Sequence, residues 1–378
     1  MSTYRKFVGL DVHKDTTVVA VAEAGREGEV RPYGTISSDL HALERLLTKL
    51  RADGSTLIVA YEAGPTGFGI YRHLQTMGLE CLVVAPSKMP VPGGKRQKTD
   101  RRDAELLARL LRAGELTGIA VPEPIDESIR DLCRTRSDAV DDLRRAKMRL
   151  KSFLLRQGYH YKGTADWSDR HLRYLRTLTL PLPAHKAVLE EYLLAYDHCV
   201  QRVARLDDLL AAQVPQWSRY PLVKALMNLR GFQLVAATVM VAEIGDIRRF
   251  THPRHLMAYL GLVPHERTTG DNRRLGAITK AGNVHARWML IETVQCALNR
   301  PKVSPELTTR QAGQPADRRD LAWKAQCRLH KRGWHLLNRG LLKPKITVAL
   351  AREMAAFVWA MLHLVPAPIA GGPGLRRT

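Results

Sequence analysis

The 378 residues carry 59 Lys and Arg against 37 Asp and Glu, a formal charge of +22 with a pI near 10.1. An excess of that size, spread along the chain rather than gathered in one tail, calls for a polyanionic partner, and nucleic acid is the natural one. The length allows two or three domains; five scattered cysteines argue against a disulfide framework or a thiolate zinc cage, and the lack of a secretory leader or an uninterrupted apolar span argues against a membrane protein, leaving a soluble cytoplasmic protein as the expectation.

Residues 6–23 read KFVGLDVHK and then TTVVAVAE, two β-branched runs split by a short polar turn, which predicts a hairpin. Residues 31–37 add a third strand. Leu40, Leu43, Leu46, Leu47 and Leu50 form the stripe of a helix over 39–50, and strand character returns at 57–61. A helix over 67–77 and a strand over 81–85 follow, so the amino-terminal part should be a mixed α/β sheet with helices packed on it. The prolines and glycines of 87–98 predict a mobile loop, and helix resumes at Thr99 with Gly114 as its stop.

Residues 121–127, VPEPIDE, read as a linker. Beyond them Ile129, Leu132, Val140, Leu143, Leu150 and Leu154 recur at helical spacing, although Arg136 and Lys147 fall on the apolar seam. With a second helical stretch at 186–213 this predicts an antiparallel helical hairpin of coiled-coil type. Residues 222–260 read as short helices broken at Gly231 and Gly245; their glycine turn fits either a helix-hairpin-helix phosphate site or an ordinary buried hairpin. The remainder to 363 is expected to be helical and basic. The domains are thus 1–122 (α/β), 123–215 (helical coiled coil), 216–363 (all-α) and a disordered tail over 364–378.

Four acids stand out against the basic background. Asp11 follows the first strand run and Glu62 the fourth, while Asp100 and Asp103 lie three residues apart on a predicted helix, about 60° apart around its axis. Carboxylates from strand ends and a helix, converging above a sheet edge, make a hard-oxygen site suited to Mg²⁺, and a pair of such ions stabilises both the attacking and the leaving oxygen of a phosphodiester. Each acid also has a structural reading as a turn former or helix-start residue. Asp15 reads as a turn residue and His13 as a phosphate or local hydrogen-bond contact.

In order, GLDVHKD, YEAGPTG, KTDRRDAELLARLL and YLGLVPHERTTGDNRRLGAITKAGNVHAR resemble the DEDD-type insertion-sequence transposases, the bridge-RNA-guided recombinases, over nearly the whole chain. The resemblance implies a ribonuclease-H-like, Holliday-junction-resolvase-like domain whose Asp11, Glu62, Asp100 and Asp103 hold Mg²⁺, followed by a coiled coil and a helical transposase domain. It also implies a serine nucleophile ahead of a basic stretch; here Thr269 aligns with that serine, a departure at the reacting atom. Threonine keeps the hydroxyl but crowds its approach with a methyl group. Thr268, direct attack by water or a DNA 3′-hydroxyl, an inactive copy, or a plain turn before Gly270 stay open beside it.

The same resemblance implies DNA donor and target, a guide RNA whose pairing selects the site, and a homo-oligomer, dimer or tetramer, in which the hydroxyl of one subunit meets the acids of another. Arg273, Arg274, Lys280 and Asn283 follow the hydroxyl closely and read as nucleic-acid contacts, with solvated surface charge or, for Asn283, a helix cap as the alternative. Two rivals remain: a junction nuclease that uses the same acids and water, and a catalytically inactive nucleic-acid-binding scaffold.

Overall fold

Side-chain alternation along each strand decides which of its faces meets which helix. In β1 (Arg5–Val12) and β2 (Thr16–Glu23), Val8, Leu10, Val19 and Val21 point into one apolar cluster. Leucines of α1 (Leu40–Leu50) and Ile70 and Leu74 of α2 (Gly69–Thr76) complete that cluster. Ala20 and Ala22 face the opposite way, toward Ala104 and Ala108 of α3 (Asp100–Ala113). The computed structural model describes residues 5–25, 28–86, 89, 99–269 and 272–366. The expected loop over 87–98 and tail over 364–378 therefore lie almost wholly outside the described residues.

With β3 (Val30–Ser37), β4 (Thr56–Glu62) and β5 (Glu80–Val84) the sheet has the order β3-β2-β1-β4-β5. The first three strands run antiparallel as a meander, and β1, β4 and β5 run parallel. This is the mixed sheet with helices that the order of strand and helix segments predicts. The chain divides into two compact units, Met1–Pro122 and Glu123–Thr378.

In the second unit, α4 (Pro124–Arg156) begins inside the segment expected to be a linker. A proline in the first turn forfeits no hydrogen bond, and Asp126 and Glu127 in that turn suit the positive end of the helix dipole, so the linker composition is also that of a helix start. The partner is α6 (Pro183–Gln213), reached through α5 (Asp169–Thr177). Asp126 accepts from Trp217 Nε1 and Arg219 Nε, both at 2.8 Å; Arg136 donates to Asp207 at 2.8 Å, Arg202 to Asp142 at 2.8 Å, and the Phe153 and Tyr192 rings lie 5.6 Å apart. Partners fall in number as α4 ascends, so the pair is antiparallel. The charges that interrupted the apolar seam have partners of their own: Arg136 binds Asp207, and the Lys147 ammonium sits 5.3 Å from the Trp167 ring centre.

The rest packs into one large core from α7 (Tyr220–Leu226), α8 (Leu234–Ile244), α9 (Pro253–Tyr259), α10 (Val284–Thr293), α11 (Pro305–Gln311), α12 (Ala316–Asn338) and α13 (Lys343–His363). By length and hydropathy α13 would pass for a membrane span, but Ile346, Leu350, Met354, Val358 and Met361 are buried in this core. The expectation of an all-α unit needs correction: β6 (Pro264–Thr269) and β7 (Asn272–Ile278) form an antiparallel hairpin between α9 and α10. The turn at Gly231 is partly buried. A Cβ there would come 2.0 Å from the carbonyl oxygen of Thr293, so the turn is pressed against the end of α10.

Candidate active site

Gly9 and Asp11 stand two apart on β1 and share the face that α3 covers. A Cβ on Gly9 would lie 2.3 Å from the Ala104 carbonyl oxygen and 2.5 Å from the Ala108 nitrogen. Strand and helix backbones therefore touch, which only glycine permits. Asp100 is one helical turn before Ala104, so this contact also sets Asp100 beside the end of β1. Thr99 caps the helix, its hydroxyl accepting from Arg102 N at 3.4 Å, and Asp100 and Asp103 both occupy the first turn. On β4, Ile58 and Ala60 pack under α3; Glu62 is the next position of that alternation, one residue beyond the Leu10–Tyr61 pair. All four acids predicted as a set thus map to the α3 side of the sheet or to the start of α3.

Of these, Asp11 and Asp100 come together tightly, with His13 between them. His13 Nε2 lies 3.3 Å from Asp11 Oδ2 and 3.3 Å from Asp100 Oδ2. The three ligand-capable atoms fall within 4.8 Å of one another, the only such group of three among the described residues. Glu62 and Asp103 are not part of this tight group. Burial pushes the Asp11 carboxyl above its ordinary value; His13 opposes that, while the charges of Asp100 and Asp103 reinforce it. Oxygen donors outnumber the one nitrogen in this group, a donor set that fits a hard divalent cation. The strand period gave a signal for His13, since Asp-x-His places two side chains on one face.

In the second unit Thr269 pairs with Asn272, Thr268 with Arg273 and Arg267 with Arg274 across the hairpin. The side chains of 267–269, 272 and 273, and residues Gly270 and Asp271, lie outside the described residues, so the expectations for the Thr269 hydroxyl and for Arg273 reach no further than their strand positions. Arg274 and Lys280 are exposed, and Lys280 adopts a left-handed φ of 54°.

What the sequence did not disclose is how the base of this hairpin is held. Thr279 N donates to Val263 O at 2.8 Å, Lys280 N to Gly261 O at 3.1 Å and Asn283 N to Tyr259 O at 3.1 Å. Beneath this loop Glu243 has a side chain 1 % exposed and accepts two bonds from Arg134, at 2.8 and 3.0 Å, and one from Asn283 Nδ2 at 2.6 Å. Tyr259 OH donates to the Glu243 carbonyl at 2.9 Å. Burial pushes the Glu243 carboxyl up, but the bonds from Arg134 and Asn283 outweigh it and hold the group below its ordinary value. Asn283 Oδ1 meanwhile accepts from Ala286 N at 2.9 Å and caps α10. The cap, one of the two roles open to Asn283, is thus present, and its amide nitrogen donates to Glu243. The visible signal was Glu243 itself, a lone acid in the apolar run LVAATVMVAEIG.

Comparison with known proteins identifies the family. Residues 8–159 match the DEDD transposase family of IS110, and residues 223–308 the transposase IS116/IS110/IS902 family. A candidate transposase of Sinorhizobium fredii, y4qE, is 41 % identical over 362 residues, covering 96 % of this chain and 90 % of the relative. The transposase for insertion sequence element IS1533 of Leptospira borgpetersenii is 29 % identical over 86 % of this chain and 95 % of its own length. Matches of this breadth define the class, a transposase of insertion sequences that recombines DNA. The chain belongs to the IS110 family.

Proposed function

We propose that the transposase is a Mg²⁺-dependent DNA strand transferase with a ribonuclease-H-like acidic centre. The observation that carries this reading is the pairing of Asp11 with Asp100 across the Gly9 contact. Asp103 in the same helical turn and Glu62 on the same sheet face complete a tetrad that would hold the cation. When bound there, Mg²⁺ supplies Lewis-acid stabilisation of the charge that develops on phosphodiester oxygens.

The protein's own groups do the rest. Asp11, whose carboxyl is raised chiefly by burial and further by the charges of Asp100 and Asp103, provides a carboxylate whose ionised form gains most from a cation. Thr269 supplies the hydroxyl, whose oxygen forms a bond to phosphorus as the DNA sugar oxygen leaves, giving a covalent protein–DNA link. Arg273, Arg274 and Lys280 hold flanking phosphates. As the family resemblance implies, subunits of a homo-oligomer share the work, and a guide RNA pairs with donor and target DNA so that base pairing selects the site.

Asp11→Asn is expected to abolish Mg²⁺-dependent strand cleavage while oligonucleotide binding persists; cleavage that survives this change overturns the reading. On suicide DNA the wild type should leave a covalent adduct that Thr269→Ala lacks. A clean nick without adduct would transfer the attack from Thr269 to water.

A further inference from the structure

The far end of the α4–α6 pair carries a second feature, unconnected with the acids. An apolar cluster of Leu150, Phe153, Leu154, Leu175, Leu180 and Leu189 closes the helix pair there and is fully packed. Above it lies an open cleft of about 370 Å³ bordered by Tyr159, Tyr161, His171, Tyr174 and Lys151. That size falls within the ~300–1,000 Å³ typical of ligand clefts. The rings are organised: Tyr161 lies 4.4 Å from His171 and 5.3 Å from Tyr174, centre to centre. His171 is buried, and its Nδ1 accepts from Trp167 N at 2.8 Å, which fixes the ring as a floor.

An aromatic cluster that served packing alone would bury its rings. Here Tyr159 and Tyr174 pack one side against the core beneath, yet with Tyr161 they stay only half-buried around a hollow. The charge around them is one-sided: residues 147–176 hold eight Lys and Arg against two acids, Asp166 and Asp169. Two of those cations are paired, Lys151 with Asp166 at 2.5 Å and Arg176 with Asp197 at 2.9 Å, and the excess is carried by the other six. Stackable rings inside a cationic surround are the two components by which proteins hold single strands, the rings taking bases and the cations taking phosphates.

We infer that this cleft at the end of the α4–α6 pair binds an unpaired nucleobase of a single-stranded nucleic acid, stacked on Tyr161 and Tyr174, with the basic surround on the adjoining phosphates. The site is separate from the acidic centre and needs no metal, so it is tested with the full chain in EDTA, where no cleavage intervenes.

Fluorescence anisotropy with labelled oligo-U, oligo-dT and a blunt duplex, each of about 12 nucleotides or base pairs, reads the affinity. Tyr161→Ala combined with Tyr174→Ala should weaken single-strand binding about 5- to 150-fold, the equivalent of ~1–3 kcal/mol per stacked base, and should spare the duplex. Tyr161→Phe, which keeps the ring, should bind as the wild type. Because ring removal risks the fold, wild-type protein is also crosslinked to strands carrying one 4-thiouridine or 4-thiothymidine, with adducts expected within residues 151–176. A response to RNA alone, to DNA alone or to both supports the site and names the strand it takes. Unchanged affinity in folded alanine variants, an equal loss for the duplex, or adducts that fall only elsewhere overturns it.

Discussion

The acidic centre and the base of the β6–β7 hairpin are positioned by opposite means. At the centre the main chains of β1 and α3 touch at Gly9, and small residues (Ala20, Ala22, Ala104 and Ala108) let helix and sheet close over them. At the hairpin base a buried carboxylate, Glu243, is the hub through which α4, α8 and α10 are tied by hydrogen bonds. The first arrangement is steric, so it should be indifferent to pH and intolerant of volume. The second is electrostatic and should show the reverse.

Removing a partner of the hub should have the largest effect. Arg134→Ala leaves Glu243 buried and short of two donors; we expect a loss of about 2–4 kcal/mol in urea unfolding, somewhat under the ~3–5 of a wholly buried pair because Arg134 is 40 % exposed. Next comes Gly9→Ala, which should cost about 1–3 kcal/mol by overpacking and also weaken divalent-metal binding, read by calorimetry, since α3 must move and Asp100 moves with it. Equal metal affinity in the two proteins would break the link drawn between the Gly9 contact and the acids.

A smaller effect concerns acidification. The folded-state pKa of Glu243 is lowered, so its contribution to stability is present above the carboxylate's unfolded value, about 4.3, and is lost as pH falls through the folded value. Unfolding midpoints should therefore decline in acid, and Glu243→Gln should flatten that slope. Smallest of all, Arg144→Ala breaks an exposed pair with Asp141 on the surface of α4 and should leave the melting temperature unchanged.

The same contrast explains what could be read from the chain. The β1–β2 hairpin was legible because two β-branched runs flank a short polar turn, and α1 because burial on one face writes a period of 3.6 into Leu40–Leu50. The acids were legible because strand ends and a helix start are local features. The hairpin 264–278 was not: PHERTTGDNRRLGAI has no apolar face to repeat, and only its Gly-Asp link hinted at a turn. Nor was the hub, since Arg134 and Glu243 meet across 109 residues and neither pattern points to the other. The start of α4 was misread because proline followed by acids serves a linker and a helix's first turn equally well.

One consequence of the unbroken α4 is metrical. Lys151 at the aromatic cleft and Arg134 at the hub are seventeen residues apart on one helix (151 minus 134), about 26 Å at ~1.5 Å per residue. That is the length of roughly seven or eight stacked nucleotides at ~3.4 Å each. The helix therefore fixes the distance between the aromatic cleft and the hub.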